Sequence, residues 1–150
     1  MNRMRLVVLG FLIVLLSCSL AGCGAVRTAQ AAEDAKLWQG TWRLVGCTYN
    51  GGHPMADMHW IVDGEHYTLR LNGTTHTDIY PFVLDAGQKH IDINHHETPK
   101  GTYGGKFKGI YEISADSLTV CLDQTGQQYP TSFDASPGSR RVIYQFQREH

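Results

Sequence analysis

The chain has 150 residues, enough for one domain and too short for two ordinary ones. Its composition, 42% hydrophobic and 18% charged with 16 Gly and 5 Pro, excludes a disordered tail, a collagen-like repeat and a coiled coil. A net charge of −1 offers no basic field to nucleic acid, and four cysteines are too few for a disulfide-dense miniprotein.

Met1–Arg5 carries two arginines, an apolar run follows over Leu6–Leu16, and small residues come next. This is the n-region and h-region order of a secretory signal, and the run is shorter than the roughly 20 residues of a membrane-spanning helix. The run ends in Leu20-Ala21-Gly22-Cys23, which resembles the bacterial lipobox at every position. The resemblance implies cleavage after Gly22, thioether lipidation of Cys23 and acylation of the new N-terminus. Acyl chains at about 0.8 kcal/mol per buried methylene would then anchor a soluble domain to a bilayer. Cys18 is a poorer candidate, because Leu16 and Ser17 fit the small-residue cleavage site less well. The resulting expectation is a signal peptide over 1–22, a lipidated tether over 23–35 and a domain over 36–150. It places the protein in the cell envelope, periplasm-facing or on the outer membrane, since no acidic residue follows Cys23 to argue for inner-membrane retention. Loss of Arg3 and Arg5 with the leader moves the net charge from −1 to −3.

Residues 24–35 are Ala-rich and polar, becoming helical towards Glu33-Asp34-Ala35-Lys36-Leu37-Trp38. From Thr41 onward no stretch holds a helical period, and short β-branched and aromatic runs recur between turn signals. Strands are expected at 41–49, 59–62, 65–71, 75–84, 89–95, 106–113, 118–123 and 140–147, with one helical turn over 54–58. Asp63-Gly64 and Asn72-Gly73 are two-residue hairpin signals. Pro81 requires a bulge, a split or an edge, since it has no N–H for a ladder. Eight antiparallel strands in simple order close naturally into a small barrel, which removes exposed edges. The expected fold is therefore all-β, an eight-stranded antiparallel up-and-down barrel of lipocalin-like form with a short N-terminal helix. An open sandwich is the alternative. Alternation places Tyr67, Leu69 and Leu71 on one face of their strand, and does the same for Leu118, Val120 and Leu122 and for Val142, Tyr144 and Phe146.

Trp38-Gln39-Gly40-Thr41-Trp42, Ile91-Asp92-Ile93, Gly109-Ile110-Tyr111-Glu112-Ile113 and Tyr129-Pro130-Thr131-Ser132-Phe133 together resemble a family of uncharacterised small exported domains found mainly in planctomycete bacteria. Departures are Trp38 where Leu is usual and Tyr129 where Arg is usual. That family has no established activity, so the resemblance implies export and a fold and adds no chemistry. Gly40-x-Trp42 with Arg148 in the last strand is also similar to the lipocalin pattern. There the Trp plugs one barrel end and the Arg packs over it, a cation–π contact of about 0.5–2 kcal/mol.

Catalytic signatures are missing from the sequence: there is no Gly-x-Ser-x-Gly elbow, no His-Glu-x-x-His and no phosphate-cradling glycine loop leading into a helix. No catalytic residues, metal or cofactor are assigned, and the protein is read as a non-enzyme. His90, Asp92, Asn94 and His96 share one strand face, as metal ligands or as a solvated polar face. His53, His59, His66 and His76 read as surface imidazoles. Cys47 and Cys121 remain as thiols on strands that are not neighbours in a meander, which opposes a disulfide. Two functions stay open. In the first, the barrel binds a small apolar ligand lined by Tyr67, Leu69, Gly109, Tyr111 and Tyr144, with Gly109 and Gly46 opening space. In the second, a filled barrel serves as a structural or docking module for an envelope protein partner. In both, the membrane is reached through the lipid anchor and nucleic acid is not a partner.

Overall fold

The computed structural model describes residues 21–95 and 105–150. One helix, α1 (Ala21–Trp38), precedes eight strands: β1 (Gly40–Tyr49), β2 (Met58–Asp63), β3 (His66–Leu71), β4 (Thr74–Asp85), β5 (His90–His95), β6 (Gly105–Ile113), β7 (Ser117–Asp123) and β8 (Arg141–Glu149). Each strand pairs antiparallel with the next, and β8 pairs with β1 to close a barrel. The all-β up-and-down architecture is thus that expected from the sequence, and no sheet edge is left exposed.

Local chemistry explains the turns. Leu71 pairs with Thr74 across Asn72 and Gly73, whose φ values of 49° and 77° suit the two-residue hairpin turn in which both central residues are left-handed. The other hairpin turns one residue later than expected: Asp63 still pairs with His66, and Gly64 takes the positive φ. Pro81 neither splits nor ends β4. The strand pairs with β3 up to Pro81 and with β5 from Phe82 onward, so the proline sits at the handover, where no ladder N–H is missed. The register irregularity falls instead between Thr68 and Arg70 of β3.

The helical turn expected at 54–58 does not form. The Asp57 carbonyl accepts the amide of Asn72 from the neighbouring hairpin, which keeps the segment extended towards β2. Among the described residues the helix is longer than the sequence suggested, spanning Ala21–Trp38.

Inward side chains alternate as the pattern requires. Trp42, Leu44, Trp60, Val62, Tyr67, Phe82, Ile91, Ile93, Tyr111, Leu118, Val120, Leu122, Val142 and Phe146 form one buried cluster. Aromatic rings dominate it. Trp60 stacks on Tyr67 at 4.5 Å and meets Phe146 at 4.7 Å, while Tyr67 continues to Tyr80 at 5.2 Å and Phe82 at 6.4 Å. Trp38 then reaches both Phe82 and Tyr111 at 5.3 Å. Such rings bury 150–250 Å² each, about 4–6 kcal/mol apiece at 25 cal/mol per Å².

Cys47 and Cys121 are both free and buried. Cys47 faces the core beside Tyr144, whereas Cys121 points outward from β7 and donates to the Asp134 carbonyl. β8 lies between them, and the two thiols occupy opposite faces of the sheet wall.

Candidate functional site

One end of the barrel is closed by the helix and a tryptophan. Trp42 is fully buried and donates its indole N–H to the Trp38 carbonyl at 2.8 Å. The Arg148 guanidinium lies 4.1 Å above the Trp42 ring. It donates to the Gln39 and Leu37 carbonyls at 2.6 and 2.5 Å, and through Nε to the Ala115 carbonyl. A cation on the last carbonyls of a helix satisfies orphan acceptors and complements the helix dipole. Gly40 has φ +108°, and a Cβ there would come within 3.1 Å of the Arg148 guanidinium. The Gly-x-Trp spacing is therefore what lets arginine, tryptophan and helix end meet.

Asp34 fixes the helix one turn earlier. It is 1% exposed and accepts from Lys89 Nζ at 2.6 Å, Tyr111 Oη at 2.6 Å and Gln30 Nε2 at 2.8 Å. Burial alone would raise its pKa, but the Lys89, Tyr111 and Gln30 hydrogen bonds and the Lys89 charge outweigh that and hold it below its usual 3.8. Burial, followed by the hydrogen bond to Asp34, pushes the Tyr111 phenol far up. Asp34, Lys89 and Gln30 lie outside the sequence-based site, whereas Tyr111 belongs to its expected ligand lining, and Asp34 falls before the expected domain start at Lys36. The available signal was the spacing of four between Gln30, Asp34 and Trp38, which puts them on one helical face.

The Asp34 latch gives a pH dependence of known sign. A carboxylate whose folded pKa is depressed stabilises the fold above the unfolded value of 3.8 and loses that contribution as pH falls through the folded value. Asp34→Asn should cost about 1.5–3 kcal/mol at neutral pH, the range for hydrogen bonds to a charged group. The gap between wild type and variant in urea titrations should shrink below pH 4. A gap that is constant with pH would contradict an ionised Asp34 at this position.

The five residues expected to line a ligand do not converge on a common space. Tyr111 lies at the plugged end, held by Asp34. Tyr67 is buried within the ring stack. Leu69 pairs with Trp60 across strands, and Tyr144 stands 5.8 Å from the same indole, so both are half-buried beside Trp60. Burial pushes the Tyr144 phenol up to about 12.

Gly109 opens no space. A Cβ there would meet Leu122 Cδ2 at 2.6 Å, the Cys121 carbonyl at 2.8 Å and Ile91 Cγ2 at 2.9 Å, because neighbouring side chains close over the glycine. At Gly46 a Cβ would collide with the Gln145 side chain. Cys23 lies in the first turns of α1.

On the outer wall, His90 and Asp92 share a face as expected, but a loop residue engages both. Tyr129 stacks on His90 at 3.9 Å, donates to Asp92 Oδ2 at 2.6 Å and lies beneath Lys108 at 4.8 Å. The hydrogen bond to Asp92, then burial, raises the Tyr129 phenol to about 12. Among the described residues no cluster of three or more His, Cys, Asp or Glu side chains is arranged to hold a metal ion. His96 lies outside the described residues.

His53, His66 and His76 are exposed, but His59 is 6% exposed, a departure from the surface reading. It is enclosed by Asp57 at 3.6 Å and Glu149 at 3.7 Å, and Arg70 holds Glu149 at 2.8 Å. Two depressions stand out among the described residues, and neither is the barrel axis. A groove of about 410 Å³ runs along the outside of β4–β6, over Pro81, Val83, Asp92 and Lys108, and a cleft of about 150 Å³ separates α1 from β4.

Compared with family models, curated proteins and solved structures, the chain matches none.

Proposed function

We propose that the protein is a lipid-anchored, non-catalytic module of the cell envelope that works through its outer surface and not by enclosing a ligand. The observation that carries this reading is the continuous series of ring contacts from Trp38 through Phe82, Tyr67 and Trp60 to Phe146, which supports an interior filled by side chains. Interiors of eight-stranded barrels either fill with side chains or hold one small ligand, and large inward residues favour the first outcome. The Leu20-Ala21-Gly22-Cys23 motif supports the anchor, and the resemblance to exported domains supports the envelope.

Cys23→Ser tests both parts in one preparation. The variant should fold but carry no acyl chain and stay unprocessed after Gly22. That unacylated chain should show no rise in Tm with fatty acids, isoprenoids or aromatic dyes. A ligand bound in the barrel at a hundredfold excess over its Kd would add about 2.7 kcal/mol and be unmistakable. Continued membrane partitioning with an acylated N-terminus would overturn the anchor. A clear shift, abolished by substituting Leu69 or Tyr144, would overturn the filled-barrel reading.

A further inference from the structure

We propose that α1 is a stiff stand-off that sets the attitude of the barrel on the membrane, with the plugged end facing the lipid surface and the mouth facing away. The proposal rests on lipidation of Cys23.

The first support is the rod itself. α1 runs unbroken from Ala21 to Trp38, and from Ala25 to Gln39 the sequence has neither Gly nor Pro and is rich in Ala. Such a segment favours helix over flexible linker.

The second support is how the rod joins the barrel. Trp38 inserts between Phe82 of β4 and Tyr111 of β6. Asp34 takes hydrogen bonds from Lys89 and Tyr111. Gln39 exchanges hydrogen bonds with Gly64 of the β2–β3 turn, at 2.8 Å to its amide and 3.1 Å from its carbonyl. Arg148 of β8 holds the Leu37 and Gln39 carbonyls. These ties come from different sides of the barrel end, so the helix has one direction relative to the strands and cannot swing freely.

The third support is reach. Ala31 borders the cleft against β4 at the plugged end, and the eight helical rises back to Cys23 span about 12 Å. The ten residues of β1, tilted as in small barrels, put the mouth roughly 25 Å beyond that end. Acyl chains on Cys23 can therefore enter the bilayer with the plugged end near the surface, whereas a mouth-down attitude exceeds the reach of the rod.

The test uses the full lipidated chain in phosphatidylethanolamine–phosphatidylglycerol vesicles that carry an acceptor dye on their headgroups. A donor is placed on Gln88→Cys, in the β4–β5 turn at the plugged end, or on Thr75→Cys, at the mouth. The native thiols Cys47 and Cys121 are buried and stay unlabelled. Donor quenching at position 88 should exceed that at 75 about twofold, as the roughly 25 Å offset requires. A flexible insert of about ten Gly/Ser residues after Val26 should erase the difference while leaving the latch intact. Equal quenching, stronger quenching at 75, or a difference that survives the insert would each overturn the proposed attitude. Mass spectrometry of the same protein's N-terminus reports separately on the anchor: an acylated Cys23 supports it, and an unmodified one overturns the anchor itself.

Discussion

Trp42→Ala should lower stability by about 3–5 kcal/mol, the range for truncating a large, fully buried aromatic. Three things are lost together: the indole's packing at the barrel end, its hydrogen bond to the Trp38 carbonyl, and the surface on which Arg148 lies. Arg148→Ala should cost less, because its side chain is only half-buried, although three backbone carbonyls lose a donor. In a double-mutant cycle the two should couple by about 0.5–2 kcal/mol, as a stacked cation and ring do. Urea denaturation of the four proteins gives the answer, and strictly additive effects would contradict a shared plug.

Gly109→Ala should destabilise by about 1–3 kcal/mol, the usual cost of overpacking a filled core. The sign is informative. Were Gly109 the floor of a cavity, one methyl group would be neutral or stabilising and a larger side chain would fill the space. Here a Cβ approaches the Cys121 carbonyl within 2.8 Å, and backbone in the middle of a barrel wall cannot step aside as a side-chain tip can. Gly109→Leu should therefore abolish folding. A variant with unchanged or raised Tm would show that Ile91 and Leu122 leave room between them.

The barrel was legible because period-2 alternation is a local signal. Tyr67, Leu69 and Leu71, or Val142, Tyr144 and Phe146, state which face is inward without knowledge of their neighbours. Asn72-Gly73 states its turn for the same reason, since it supplies two residues that tolerate positive φ. What the sequence did not disclose depends on contacts between distant segments. Glu33 and Asp34 look alike in a charged helix, and only Lys89 and Tyr111, far along the chain, explain why Asp34 alone is buried. Pro81 reads as a strand breaker until β3 and β5 are seen to divide β4 between them. His59 reads as a surface imidazole until Asp57 and Glu149 are placed beside it.

The positions of the candidate lining residues along the barrel were hidden for a related reason. Tyr67, Leu69, Tyr111 and Tyr144 all point inward, but direction says nothing about height along the barrel. Tyr111 ends at the plug, whereas Tyr144 lies beside Trp60 and its stacked partners. A glycine in a strand is equally ambiguous, marking either open space or a close approach of neighbours. At Gly109 it marks the second.

The most direct measurement is a native mass spectrum of the lipidated protein released from its own host's membranes. A filled interior predicts a mass equal to the processed polypeptide plus its acyl anchor, with no further stoichiometric component. A second apolar molecule retained at one per chain, and lost when Leu69 or Tyr144 is replaced, would contradict it.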